Sequence, residues 1–247
     1  MPERLRGSLG ALAMLAVATM LPGAAHAQLG SCRLPATLPL PKLSQPSQAQ
    51  PRRVMPIRSY TLALSWSPEY CARGSDAGSF QCSQRGNNRF GFVLHGLWPN
   101  GAGKSWPQYC RPAQRLTPAI LRANLCATPS IDLLQHEWAK HGTCMRGPPK
   151  AYFDKARGLY GRLRFPDMAA LARDKALTVE TFKHALIAAN AREKPVLPEQ
   201  SVRVRLTRQG WLDEVQICFD QRMTYTACAP QSQDVASGQS MRIRSRT

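Results

Sequence analysis

The sequence predicts an α+β fold: a central antiparallel sheet packed with several helices, disulfide-stapled, in a single domain. Three observations lead there. Segments with strand periodicity lie near the start and the end of residues 59–219 with the helical ones between them, which argues against a repeating βαβ chain. Eight cysteines (Cys32, Cys71, Cys82, Cys110, Cys126, Cys144, Cys218, Cys228) contain no CxxC pair, so they point to four disulfides in an oxidising compartment rather than to a zinc site. The length of 247 residues with 43% hydrophobic content suffices for one sizeable core.

Arg4 and Arg6 precede an apolar run from Leu9 to Leu21, and Ala25-His26-Ala27 supplies a small-x-small cleavage pattern. A cleaved signal peptide over residues 1–27 is therefore expected, with Gln28 as the mature start and a periplasmic or secreted destination. The run is shorter than the roughly 20 residues that span a bilayer, and no later stretch is long and apolar enough, so no membrane partner is expected. Residues 28–58 hold six prolines and almost no apolar periodicity, which reads as an extended, Pro-rich linker. The folded body, residues 59–247, follows.

Tyr60, Leu62, Leu64 and Trp66 alternate with polar or small residues, a period-2 strand that Pro68 ends. Between Cys71 and Cys82 lies a turn-rich insert containing Gly74, Ser75, Asp76, Gly78 and Ser79. Phe90, Phe92 and Leu94 then predict a strand that delivers His95 at its end, on the face opposite the phenylalanines. Thr117-Pro118 is an N-cap followed by a first-turn proline, opening a helix over Ala119–Leu125. Asp132 with Gln135 resembles a capping box for a helix from about Leu133 that Gly142 should terminate. Further helices are expected over Ala151–Arg162 and over Val179–Ala189, the latter on its Val179, Phe182 and Leu186 stripe. Val202, Val204 and Leu206, then Val215, Ile217 and Phe219, mark two antiparallel strands joined through Gly210.

Lys and Arg number 33 against 15 Asp and Glu, a formal charge of +18 that favours a polyanionic partner, with nucleic acid foremost. Two short segments carry chemistry: Phe92-Val-Leu-His95-Gly-Leu-Trp98-Pro99 and His136-Glu137-Trp138-Ala139-Lys140-His141-Gly142-Thr143-Cys144. On a helix, His136, Glu137, Lys140 and His141 share one arc, while Leu134 and Trp138 form an apolar stripe that docks it. Two titrating imidazoles beside both fixed signs suit acid–base chemistry on an anion better than a merely solvated face does. A zinc helix is excluded because His141 lies five residues after His136, where HExxH needs four, and the few carboxylates nearby do not suit another divalent metal. No metal or other cofactor is expected. His184, opposite its helix's apolar stripe, is read as a surface histidine and Trp138 as packing.

Taken in order, the two segments resemble the paired signatures of the ribonuclease T2 family of exported endoribonucleases, and the likeness in strand and cysteine layout runs from about Tyr60 to Pro230. The resemblance implies a catalytic domain over 59–247 that cleaves single-stranded RNA, as a monomer, through a 2′,3′-cyclic phosphate. It implies His141 as base and His95 as acid in the first step, Glu137 and Lys140 as supports of the transition state, and His136 as a phosphate contact. Orientation of the His141 imidazole is a second possible role for Glu137, and Trp98 is a candidate to stack on a base or sugar or to pack in the core. Asn100 departs from relatives that carry an acidic residue there, so broad base specificity is expected. Arg203, Arg205, Arg242, Arg244 and Arg246 are expected to collect phosphates. The resemblance also pairs Cys110 with Cys144 and Cys218 with Cys228; Cys71 with Cys82 is local, and Cys32 is left with Cys126. A polyanion binder without activity and a metal-dependent phosphodiesterase are the competing readings.

Overall fold

The computed structural model describes residues 1, 29–74, 78–83 and 88–245. The expected signal peptide beyond Met1, the turn residues Ser75 and Asp76, and Arg246 lie outside them. In chain order the strands and helices are β1 (Leu29–Ser31), β2 (Ser59–Trp66), α1 (Ser67–Ala72), β3 (Arg89–Phe90), β4 (Phe92–Asn100), α2 (Pro118–Asn124) and α3 (Ile131–Lys140). They continue with α4 (Pro149–Arg162), α5 (Met168–Arg173), α6 (Val179–Ala189), β5 (Val202–Leu206) and β6 (Leu212–Asp220). The main sheet is antiparallel throughout, in the order β4-β2-β6-β5, and β1 pairs with β3 in a separate two-stranded ribbon. This is the expected α+β architecture. All four expected disulfides are present, Cys32–Cys126, Cys71–Cys82, Cys110–Cys144 and Cys218–Cys228.

Alternation along the strands sets two faces. Leu62, Leu64, Leu94, Leu97, Val204, Val215 and Ile217 are buried in one cluster with Tyr152, Leu159, Phe182 and Leu186 from α4 and α6. The opposite face carries Ser65, Glu214, Gln216 and Arg203, which meet in register across β2, β6 and β5. As the edge of the sheet, β4 would leave backbone groups unpaired, a cost of about 1–3 kcal/mol for each buried orphan. Tyr160 donates to the Phe92 carbonyl, Thr128 to that of Leu94, and Tyr152 to that of Leu97 while accepting from the Leu97 amide. The helical layer thereby fixes the strand that carries the first signature.

Local signals explain most boundaries, and where they compete the structure decides. Thr117 caps α2 as expected. Ser130, not Asp132, caps α3, accepting from the Leu133 amide at 3.2 Å. Asp132 instead accepts from the Lys42 backbone amide, and Gln135 is fully buried, bonding the Leu116 amide and the Gln114 carbonyl; it points inward and cannot close a capping box. The proline that ends β2 also opens α1, and Asp167 caps α5, two short helices not expected from periodicity. Residues 32–58 contain no helix, in keeping with their prolines, but they are fastened along their length. Arg122 donates to the carbonyls of Pro35 and Ala36, Ser44 meets Tyr109 and His136, and Arg53 pairs in both directions with Gln108. The linker is thus a strap across the body.

Candidate active site

The site begins with an irregularity in β4. Ala63 pairs with Gly96 and Leu64 with Leu94, so His95 is an extra residue with no partner on β2. The sequence reading ends the strand at His95; the strand in fact runs on to Asn100, and a β-bulge re-aims the side chain. His95 Nδ1 lies 2.8 Å from Glu214 Oε2 on β6, and because a carboxylate only accepts, Nδ1 carries the proton. Nε2 is left facing Glu137, whose Oε1 is 3.7 Å away. Gln216 braces Glu214 from behind at 2.8 Å, and Arg203 donates to Gln216. Glu214 was not anticipated: it lies 119 residues beyond His95 and only strand register brings the two together.

Helix α3 supplies the second half. Leu134 and Trp138 are buried as the docking stripe, and a Cβ on Gly142 would come within 2.4 Å of the Trp138 ring, so the turn after the helix admits only glycine. Glu137 is turned inward rather than along the helix toward His141. Its Oε2 accepts from Trp98 Nε1 at 2.8 Å, and a Cβ on Gly96 would sit 1.8 Å from that same oxygen. Glycine in the first signature is therefore the space occupied by the glutamate of the second. Trp98 stands between the two imidazoles, its ring centroid 5.0 Å from that of His95 and 5.7 Å from that of His141. His141 follows the last helical residue, buried, and its Nδ1 has no hydrogen-bond partner among the described residues. Glu137 thus meets Trp98 and His95, and the orienting contact to His141 that helical spacing suggests is not made.

His136 and Lys140 lie on the side covered by the strap. His136 Nδ1 is 3.0 Å from Ser44 Oγ, and its ring is edge-on to Tyr109. Tyr109 has a left-handed backbone (φ 51°), and its amide donates to the Lys140 carbonyl, so the Cys110–Cys144 bridge closes over the end of α3.

Burial and charge push the titrating groups apart. Burial alone lowers the basicity of His95, but the hydrogen bond to Glu214 and the charges of Glu137, Glu214 and Asp213 outweigh it and hold the imidazole above its ordinary value. Burial, then Lys140, His136 and His95, push His141 well below its ordinary value, and burial with Lys140 and His95 brings His136 down to about 4. Burial raises Glu137 to about 7 against the pull of His95, Trp98 and Lys140. Lys140 is lowered, by burial first and by Arg53 as well, against the attraction of Glu137. One imidazole is biased toward its protonated form and its neighbour toward the neutral one, the pattern of an acid–base pair.

Some expected residues fall outside the cleft. Arg203 is buried and ion-paired with Asp234 at 2.6 Å, Arg205 is bonded to Gln233, and Arg244 pairs with Glu69 at 2.7 Å. Arg242 and Arg244 also stack on Trp211. Arg203 and Arg244 are thus committed to carboxylates, which corrects the reading of these two as phosphate collectors, whereas Arg242 is exposed and Arg205 half-buried without a carboxylate partner among the described residues; strand alternation places a residue on a face but does not reveal what covers that face. His184 is more than half exposed, as expected. Among the described residues no three of His, Cys, Asp and Glu converge as a metal-ligand set, and no helix is long and apolar enough to cross a membrane.

Fold and site together define a disulfide-stapled α+β protein in which two imidazoles flank Trp98 beside buried carboxylates. The family model of the Ribonuclease T2 family matches residues 57–228, and the chain belongs to that family. It is 38% identical over 136 residues to a probable ribonuclease of Haemophilus influenzae, covering 49% of this chain and 48% of the relative. It is 47% identical over 85 residues to a ribonuclease of Aeromonas hydrophila, covering 34% and 36%. The chain thus matches about half or less of the length of these curated relatives. The solved structure of RNase NT in complex with 5′-AMP superposes with a TM-score of 0.58 at 20% identity, over 76% of this chain and 99% of that one, a likeness of fold.

Proposed function

We propose that this chain is an exported endoribonuclease that cleaves single-stranded RNA by transphosphorylation, without a metal, as a monomer and with low base specificity. The observation that carries the reading is the pair of imidazoles flanking Trp98, one clamped between two carboxylates and the other buried beside cations. Neutral His141 takes the proton of a ribose 2′-OH as that oxygen attacks phosphorus. The P–O5′ bond breaks, and His95 protonates the departing 5′-oxygen from Nε2, leaving a 2′,3′-cyclic phosphate. In the second step the roles reverse: His95 takes a proton from water, and His141 returns one to the 2′-oxygen, giving a 3′-phosphate. Lys140 and Glu137 stabilise the charge-rich transition state, His136 contacts phosphate, and Trp98 positions the nucleotide beside it.

Other features support the remaining parts. Four disulfides fit an oxidising compartment outside the cytoplasm. Asn100, standing where some relatives carry an acidic residue, donates to Thr61 Oγ1 at 3.0 Å, in keeping with broad cleavage. The test is cleavage of a single-stranded RNA in EDTA by the wild type, His95→Ala, His141→Ala and the double variant. Each single change should cost about 10²–10⁴ in kcat, with the double variant little worse than either. Full activity in either single variant, or cleavage only when a divalent metal is restored, overturns the proposal.

A further inference from the structure

Two of the arginines expected to hold RNA, Arg203 and Arg244, are paired with carboxylates, and the strap over residues 32–58 brings other cations beside the cleft. From Cys32 to Arg58 it carries Arg33, Lys42, Arg52, Arg53 and Arg58 and no Asp or Glu. Most of it precedes residue 57, outside the part of the chain on which family membership rests. Arg53 pairs through its backbone with Gln108, one residue before Tyr109, whose amide is bonded to Lys140. Its guanidinium lies 4.3 Å over the exposed Trp106 ring, and its buried Nε has no hydrogen-bond partner among the described residues. No ion pair or side-chain hydrogen bond engages the rest of that guanidinium among the described residues, and Lys140 feels its charge. Arg52, exposed, rests on the Cys110 carbonyl and has no carboxylate partner among the described residues. Beside it a cavity of about 540 Å³ is lined by Ser44, Arg52, Tyr109 and Arg111, on the flank of α3 that presents His136.

We infer that the strap is a phosphate-binding arm, in which Arg52 and Arg53 take a backbone phosphate of single-stranded RNA adjacent to the one that is cleaved. The inference rests on the ribonuclease reading and assigns that site its substrate groove. A guanidinium held over an indole, with no carboxylate among the described residues to neutralise it, is preorganised for a bidentate phosphate contact. The Pro-rich backbone keeps the loss of freedom on binding small.

The experiment measures affinity for a labelled single-stranded 2′-O-methyl oligoribonucleotide of about eight nucleotides, which lacks the attacking hydroxyl, as salt is varied between about 50 and 200 mM. Each phosphate contact on a single strand contributes about 0.7 to the slope of log affinity against log salt. The full chain carrying Arg52→Gln and Arg53→Gln should lose about 0.7 of that slope, one phosphate contact, so the fall in affinity across this range becomes roughly two- to threefold smaller. Arg52→Lys with Arg53→Lys should recover most of the slope while weakening binding. Lys175→Gln with Arg192→Gln, removing two charges outside the strap and both signatures, should leave the slope in place. Equal slopes in the wild type and the strap variant, or an equal loss in the remote pair, overturn the inference. The all-ribose oligonucleotide is incubated with the wild type in parallel; absence of cleavage there counts against the ribonuclease reading whatever the slopes show.

Discussion

Replacing Glu214 with Gln removes one negative charge and little else from the environment of His95. The carboxylate accepts from Nδ1 at 2.8 Å and is itself braced by Gln216, so the amide can occupy the same place. A hydrogen bond involving a charged group contributes about 1.5–3 kcal/mol and a neutral one about 0.5–1.5, a difference of about 1–1.5 kcal/mol. At 1.36 kcal/mol per pKa unit that lowers the His95 value by about one unit. The assay is the pH profile of kcat/KM. In the wild type the descending limb, set by loss of the His95 proton, lies above the ordinary imidazole value of about 6.5. In Glu214→Gln it moves acidward by about one unit, and the rate on the alkaline side of the limb falls about tenfold. Stability follows the same sign. The folded-state value of His95 is raised, so its pairing with Glu214 stabilises the fold at pH below the unfolded value of about 6.5 and is lost as pH rises through the folded value. Glu214→Gln is therefore most destabilising on the acid side of that window and least in alkali. A lower rate with an unmoved limb would refute a positioning role and leave Glu214 as packing.

Three further outcomes follow from the geometry. Gly96→Ala drives a methyl group into the Glu137 carboxyl; kcat should fall by about 10²-fold while the overpacking costs about 1–3 kcal/mol in urea unfolding, and wild-type kcat would contradict the close approach. Cys110→Ala with Cys144→Ala opens the clamp behind Lys140 and should cost about 2–4 kcal/mol of stability with a raised KM, read by thermal unfolding and initial rates. His136, brought down to about 4, stays neutral in the fold where the unfolded chain binds a proton, so it destabilises the protein as pH falls from about 6.5 toward that value. His136→Asn should flatten that part of the acid-unfolding curve, and an unchanged curve would show that the group is not held neutral.

Much of the site was legible because its chemistry is local. Two signatures, each a short continuous stretch of chain, specify His95, Trp98, Glu137, Lys140 and His141, and the stripe of Leu134 and Trp138 docks α3 as periodicity indicates. What periodicity misses is anything set by register or by long-range cover. The bulge at His95 exists only in the pairing of β4 with β2, Glu214 reaches the imidazole from β6, and Arg203 is paired with Asp234, 31 residues further along the chain. The turning of Glu137 toward Trp98 depends on the missing Cβ of Gly96, a contact between segments 41 residues apart that neither segment declares alone. The strap was readable as extended and as stapled at Cys32 but not as anchored along its length, because prolines dictate backbone shape while the other anchors are scattered hydrogen bonds to the body.

The most direct test of the central claim is cleavage, in EDTA, of a single-stranded RNA in which one nucleotide is 2′-deoxy, with the ends of early products analysed. Transphosphorylation by His141 and His95 predicts 2′,3′-cyclic phosphate ends at every cut and no cut on the 3′ side of the deoxynucleotide. Cleavage at that linkage, or products that never pass through a cyclic phosphate, would contradict it.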